Sequence, residues 1–199
     1  MPKWAIVTIG IIGAILFLAW GFFGGTYNRL VSLEESVKGS WAQVENVYQR
    51  RLDLIPNLVE TVKGYAAQER DTLQGVIEAR SKIASMNVSP DLVNDPQALA
   101  KFEAAQQSLS SALSRLMVVV EQYPDLKANQ NFLMLQTQLE GTENRIAVER
   151  MRFNDTSKQF NTAVRSFPTN LIAGLYKFST KAYFQATTGA DKAPAVSFK

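Results

Sequence analysis

Residues 27–65 read YNRLVSLEESVKGSWAQVENVYQRRLDLIPNLVETVKGY, and the spacing of their apolar side chains decides the fold. Leu30, Leu33, Val37, Trp41, Val44, Tyr48, Leu52, Ile55, Val59 and Val62 recur at steps of three or four. That spacing puts them on one side of an α-helix and is foreign to a strand, whose period is two. Over most of the stretch the steps run three, four, four, and a period near ~3.67 describes a helix that is nearly straight or coils slightly to the right. At ~1.5 Å per residue it extends roughly 55–60 Å. Pro56 lies well inside it, removes a backbone donor and crowds the carbonyl of Leu52, so a kink or local opening is expected there. Arg50, Arg51 and Asp53 stand close enough to hydrogen-bond the loosened turn.

Immediately upstream, residues 4–23 (WAIVTIGIIGAILFLAWGFF) carry no charge and one weakly polar side chain, Thr8. About 20 apolar residues cross the ~30 Å hydrocarbon layer as a helix. Trp4 at one end and Trp20, Phe22 and Phe23 at the other are the residue types that favour its boundaries. A cleaved signal peptide is the rival reading. Lys3 as the only basic residue before it, an apolar run longer than a signal needs, and no clear A-x-A site favour a retained anchor. Gly24-Gly25 then marks a flexible joint between anchor and domain. Charge does not orient the anchor, because Lys3 and the amino terminus balance Arg29 and Lys38 across it.

Composition removes several function classes. The 199 residues, 46% hydrophobic, suffice for one core once the anchor is set aside. A net charge of +3, with basic residues interspersed among acids, argues against a nucleic-acid partner. There is no cysteine and no histidine. Disulfides, thiolate nucleophiles and the usual zinc and haem ligand sets are therefore excluded, as are the Glu-x-x-His pairs of di-iron helical proteins. No cofactor and no metal is expected.

Beyond Gly64 the apolar pattern restarts at Leu73, Val76, Ile77 and Ile83, giving a shorter second helix or a bent continuation to about Met86. Residues 87–96 form a loop by composition, and Asp95-Pro96 reads as an N-cap followed by proline at the first helical position. A third helix follows to about Gln122, broken by Tyr123-Pro124-Asp125. A fourth starts near Lys127 with two heptad lines. Phe132, Leu139, Ile146, Phe153, Phe160 and Phe167 form an apolar one; Leu135, Thr142, Glu149, Thr156 and Ala163 form a mixed one. A carboxylate on that second line is costly unless paired, and Arg50 or Arg51 is the candidate partner of Glu149. A short apolar helix after Phe167-Pro168 and an extended tail complete the chain. The apolar pair Val196 and Phe198 gives that tail something to dock with, although fraying is the simpler expectation.

Three motifs, residues 27–66, residues 123–154 (YPDLKANQNFLMLQTQLEGTENRIAVERMRFN) and residues 167–173 (FPTNLIA), closely resemble the LemA family of bacterial membrane proteins. The resemblance covers residues 27–196. It implies one N-terminal membrane helix followed by an antiparallel four-helix bundle, hence an all-α fold divided into an anchor (1–25), a bundle (26–166), a short C-terminal helix (167–186) and an extended tail (187–199). It also implies that structural or interaction roles fall on Tyr27, Asn28, Arg50, Arg51, Asp53, Pro56, Asn57, Glu140, Glu143, Asn144, Arg145, Glu149, Arg150, Phe167, Pro168 and Asn170. Family members include a protein of magnetosome-membrane formation and others encoded near membrane zinc peptidases. Some resemble lipoproteins with a cysteine ahead of the Tyr-Asn motif, which by analogy places this domain on the exported side of the inner membrane. Here Gly25-Thr26 precede Tyr27, so that lipid anchor is absent.

The expected function is that of a non-enzymatic, single-pass scaffold or self-assembling organiser. It would touch membrane lipid through residues 4–23, form a homo-oligomer and engage an envelope protein. The alternative is a sensor or adaptor that binds a small ligand or peptide between helices, lined by Arg50, Arg51, Thr142 and Glu149, and signals through a partner such as a membrane peptidase. Catalysis by Glu140 and Glu143 is the weakest reading, because two carboxylates three apart with Arg145 and Arg150 nearby form the usual pattern of an ion-paired surface.

Overall fold

The computed structural model of the chain describes residues 3–185, whose regular elements are all helices, with no strand among the described residues. Helix α1 (Lys3–Lys63) is 61 residues long and fuses the apolar stretch with the long helix. The joint expected at Gly24-Gly25 is not a break. Each glycine costs a helix only about 1 kcal/mol relative to alanine, and helix already formed on both sides propagates through it at one hydrogen bond per residue. The first helix likewise continues past Pro56, which is exposed.

The chain then returns in α2 (Arg70–Ala84), a helix separate from α1 and not a bent continuation of it. A 3-10 turn (Pro90–Asn94) occupies the expected loop. Asp95 caps α3 (Pro96–Val120) as its sequence predicts, its Oδ1 accepting from the backbone N–H of Gln97 at 2.8 Å and of Ala98 at 3.3 Å. A single turn, α4 (Pro124–Lys127), precedes α5 (Gln130–Arg165). Helix α5 starts three residues later than the apolar pattern suggests, because Asn129 caps it by accepting from the N–H of Phe132.

Helices α1 and α5 run antiparallel along each other: Ser40 meets Thr156, Arg51 meets Glu143 and Tyr65 meets Asn129. Helix α2 packs on α3 and on α1, and buried side chains from all four long helices join one hydrophobic cluster. Trp41, Phe102, Phe132, Phe153 and Phe160 are its largest fully buried members. The apolar heptad line of α5 faces this core through Phe160 and stops there. Phe167 lies beyond the end of the helix and is 80% exposed.

The C-terminal helix is shorter than expected. Helix α6 (Thr169–Leu175) ends with Lys177 in the left-handed region, φ 60. The N–H of Phe178 bonds back to the carbonyl of Ala173 at 2.9 Å and that of Lys177 to Gly174 at 3.3 Å, the pattern that closes a helix and reverses the chain. Residues 178–185 follow as a strap without helix. The tail from residue 187, with Val196 and Phe198, lies outside the described residues.

Candidate functional site

Arg51 projects from α1 into the interior and is 2% exposed. Its Nη2 lies 2.6 Å from Oε1 of Glu143 on α5 and donates to Oγ of Ser110 on α3 at 2.7 Å; Nη1 reaches Oε1 of Gln106 at 3.5 Å. One guanidinium thus ties three helices together. Burial pulls it below its ordinary pKa range, and Glu143 opposes that shift. Nε of Arg51 and Nε2 of Gln106 are buried without a hydrogen-bond partner among the described residues. Beside Arg51 lies a cavity of about 230 Å³ with Ser110, Leu113, Met117, Glu140 and Glu143 in its wall. A second cavity, of about 440 Å³, has Glu45, Tyr48, Leu52, Ile83, Phe102 and Gln106 in its wall. Burial raises the Glu45 carboxyl and pushes the Tyr48 phenol up to about 12.

Arg51 therefore does have a carboxylate partner, but it is Glu143. The expected pairing of Glu149 with Arg50 or Arg51 is not formed. Glu149 Oε2 lies 3.3 Å from Nη1 of Arg152 on its own helix, outside hydrogen-bond alignment, and Arg50 is exposed. The antiparallel register of α1 and α5 sets Arg51 level with residue 143 and leaves residue 149 about six residues, roughly 9 Å, nearer the apolar N-terminal stretch.

Pro56 leaves the carbonyl of Leu52 without its helical donor, and Arg80 of α2 supplies one, Nε to O at 3.0 Å. The residues expected to do this are engaged otherwise. Arg51 points inward, and Asp53 accepts from Gln49 at 2.8 Å. Asn28, Asn57, Asn144, Arg145 and Asn170 are exposed. Glu140 accepts from Gln136 at 2.9 Å. Pro168 is half-buried and follows a cis peptide bond. Tyr27 packs against Tyr176 with ring centroids 4.6 Å apart and planes tilted by 52°.

Arg150 belongs to a constellation that the apolar periodicity does not reveal. Asn154 and Asn161, seven apart on α5, each grip one residue of the strap with both ends of the side-chain amide. Asn154 accepts from the N–H of Phe184 and donates to its carbonyl, both at 2.9 Å; Asn161 does the same for Lys181, at 2.7 and 2.8 Å. Each amide stands in for one rung of a β-ladder. Phe184 lies parallel to Trp41 at 5.9 Å and edge-on to Phe153 at 5.5 Å. Lys181 is buried, its Nζ donating to Glu34 at 2.7 Å and to Asn94 at 2.9 Å. Arg150 pairs with Glu103 at 2.7 Å and donates to the carbonyl of Gln185 at 2.9 Å, and its guanidinium sits over the Phe184 ring. Burial raises the Glu103 carboxyl, with Arg150 and the N–H of Gln185 opposing. The heptad spacing of two asparagines beside Phe153 and Phe160 is the one sequence signal that marks this clamp.

The described residues hold no group of three or more His, Cys, Asp or Glu side chains placed to bind a metal. The arrangement offers buried charge pairs, an aromatic core and a strapped surface, fused to a bare apolar helix. Together these define a membrane-associated, all-helical protein. The model described as "LemA family" matches residues 40–198, and the chain belongs to that family. Magnetosome protein MamQ 2 of Paramagnetospirillum magneticum is 25% identical over 206 residues, covering 96% of this chain and 75% of that relative. Magnetosome protein MamQ of Magnetospirillum gryphiswaldense is 24% identical over the same coverage. Protein LemA of Metamycoplasma hominis is 25% identical over 182 residues, 92% of this chain and 76% of that relative. The family, the magnetosome relatives and the apolar N-terminal helix point to a membrane-associated protein.

Proposed function

We propose that the protein is a single-pass scaffold that self-associates and organises partner proteins at the bacterial inner membrane, with its helical domain on the exported side. One observation carries the reading: α1 runs without interruption from an uncovered apolar stretch, mean hydropathy 1.6, into the core of the packed domain. Such a helix holds the domain at a fixed height and angle to the bilayer, which suits a spacer or lattice element. Two of the similar proteins bear magnetosome names, which fits organisation of a membrane. Chemical cross-linking and native mass spectrometry of the full chain in lipid nanodiscs test it. Discrete oligomers or a stoichiometric partner are expected; a strict monomer with nothing bound refutes it. Protease accessibility of the domain in sealed vesicles tests the orientation.

The Arg51 cavity favours a second reading, a sensor or adaptor, because a buried guanidinium with an unpaired Nε beside open space suits a small carboxylate. A thermal-shift screen of short carboxylic acids that finds no stabilisation removes it.

A further inference from the structure

Helix α6 turns Ile172 and Ala173 into the core and leaves an apolar stripe in the open: Phe167 80%, Leu171 63%, Leu175 69% and Tyr176 55% exposed. Leu171 and Leu175 are four apart on α6 and so share one edge of the helix, with exposed Phe167 and Tyr176 flanking it in sequence. Bare leucine and phenylalanine at such density on a domain's surface mark a contact.

Where that edge sits is fixed by α1. The Tyr176 ring lies 4.6 Å from that of Tyr27, and Phe178 5.9 Å from it. Phe23, the last residue of the apolar run, is one turn of α1 before Tyr27, about 6 Å along the axis. The same level is reached by the end of α5, since Thr156 meets Ser40 and the chain then continues toward the anchor. Beyond α6 the strap leads away again, Lys181 to Glu34 and Phe184 to Trp41. Helix α6 is therefore the element at the bilayer end of the domain, within the depth of a headgroup layer from the hydrocarbon. Three exposed cations stand near this level: Arg29 two residues past Tyr27 on α1, Arg165 at the last position of α5, and Lys177 just beyond α6.

We propose that the outward face of α6 rests in the lipid interface beside the point where α1 enters it, so that the domain sits on the bilayer with a second foothold. Aromatic and leucine side chains flanked by Lys and Arg are the composition of an interfacial helix. The stripe is continuous with the apolar face of α1 at Phe22 and Phe23, both exposed. A second protein copy is a poorer occupant, because four side chains fall well short of the ~20–30 residues a side that a stable interface uses.

The inference rests on residues 4–23 crossing a membrane, and the test separates the two. The chain has no cysteine, so single labels are clean: Leu171→Cys, Leu175→Cys, Ile12→Cys in the apolar run, and Asn131→Cys at the opposite end of the domain. Each full-length variant carries an environment-sensitive fluorophore in vesicles of phosphatidylcholine and phosphatidylglycerol with brominated acyl chains. Labels at positions 171 and 175 are expected to shift to the blue and lose much of their intensity to the brominated lipid, as position 12 does, with position 131 unchanged. Quenching at position 12 with positions 171 and 175 behaving like position 131 overturns the foothold and leaves the anchor standing. No quenching at position 12 overturns the anchor reading itself. Disulfide formation between copies at unlabelled position 171, with no quenching there, assigns the stripe to protein and also overturns the proposal.

Discussion

Replacing Glu143 by alanine tests the Arg51 centre most directly. The Arg51 side chain is 3% exposed and that of Glu143 45%. Stranding one member of a fully buried pair costs ~3–5 kcal/mol, whereas an exposed pair contributes ~0.2–1. Here the stranded member is the buried one, but water gains the volume that the half-exposed carboxylate leaves. Ser110 Oγ still accepts from Nη2 at 2.7 Å. An intermediate loss of about 2–3 kcal/mol follows, or roughly 4–12 °C in Tm for a domain of this size. Arg51→Met behaves differently, since it removes the desolvated charge and lets Glu143 return to solvent; its expected cost is under about 1 kcal/mol. Adding Arg51→Met to Glu143→Ala should therefore recover most of the loss. The assay is helical circular dichroism against temperature for the full chain in detergent, with all four members of the cycle. A Glu143→Ala melt within about 0.5 kcal/mol of wild type, or a double variant no more stable than Glu143→Ala, refutes the argument that the buried cation governs this site.

Three other outcomes are expected. Phe184→Ala removes a ring packed against Trp41 and Phe153 and carries a cost of up to ~3–5 kcal/mol; strap release caps that loss, so limited proteolysis within residues 176–185 should accelerate before the global melt moves far. Arg80→Met should cost about 1–2 kcal/mol by orphaning the Leu52 carbonyl, and most of that cost should vanish in a Pro56→Ala background, where the helical N–H is restored; equal costs in both backgrounds would show that Arg80 does not compensate for the proline. Burial raises the Glu45 carboxyl, so the folded state favours its neutral form and loses stability as pH climbs through the carboxylate range. Glu45→Gln should accordingly be more stable than wild type at pH ~7, with the difference fading below about pH 4; denaturation curves at the two pH values check it.

The ten apolar positions that announce α1 are a local pattern, and the structure buries all of them but Leu33, which is half-buried against the core. Local chemistry likewise places the Asp95 cap and the apolar line of α5. What spacing does not carry is the offset between two helices distant in sequence. Glu149 and Glu143 both stood within reach of an arginine on a facing helix, and only the register of α1 against α5 selects Glu143. The strap escaped for a related reason: residues 178–185 have no period of their own, and their order comes from Asn154 and Asn161 across the core. The proline at position 56 advertised an orphaned carbonyl, but its new donor, Arg80, lies 28 residues on. Of the motif residues, Arg51, Glu143 and Arg150 meet partners inside the fold, while most of the others face outward.

An unbroken α1 also has a rotational consequence. Each residue of a helix turns the chain by about 100° and advances it ~1.5 Å, so the compass bearing of the apolar N-terminal half relative to the α5 side is written in residue count. Inserting a single residue after Gly25 would swing every side chain of the apolar stretch by more than a quarter turn relative to the packed domain. Inserting seven would nearly restore the bearing while lifting the domain by ~10 Å. The apolar half of α1 behaves as a keyed shaft, and its azimuth is a heritable property of the chain.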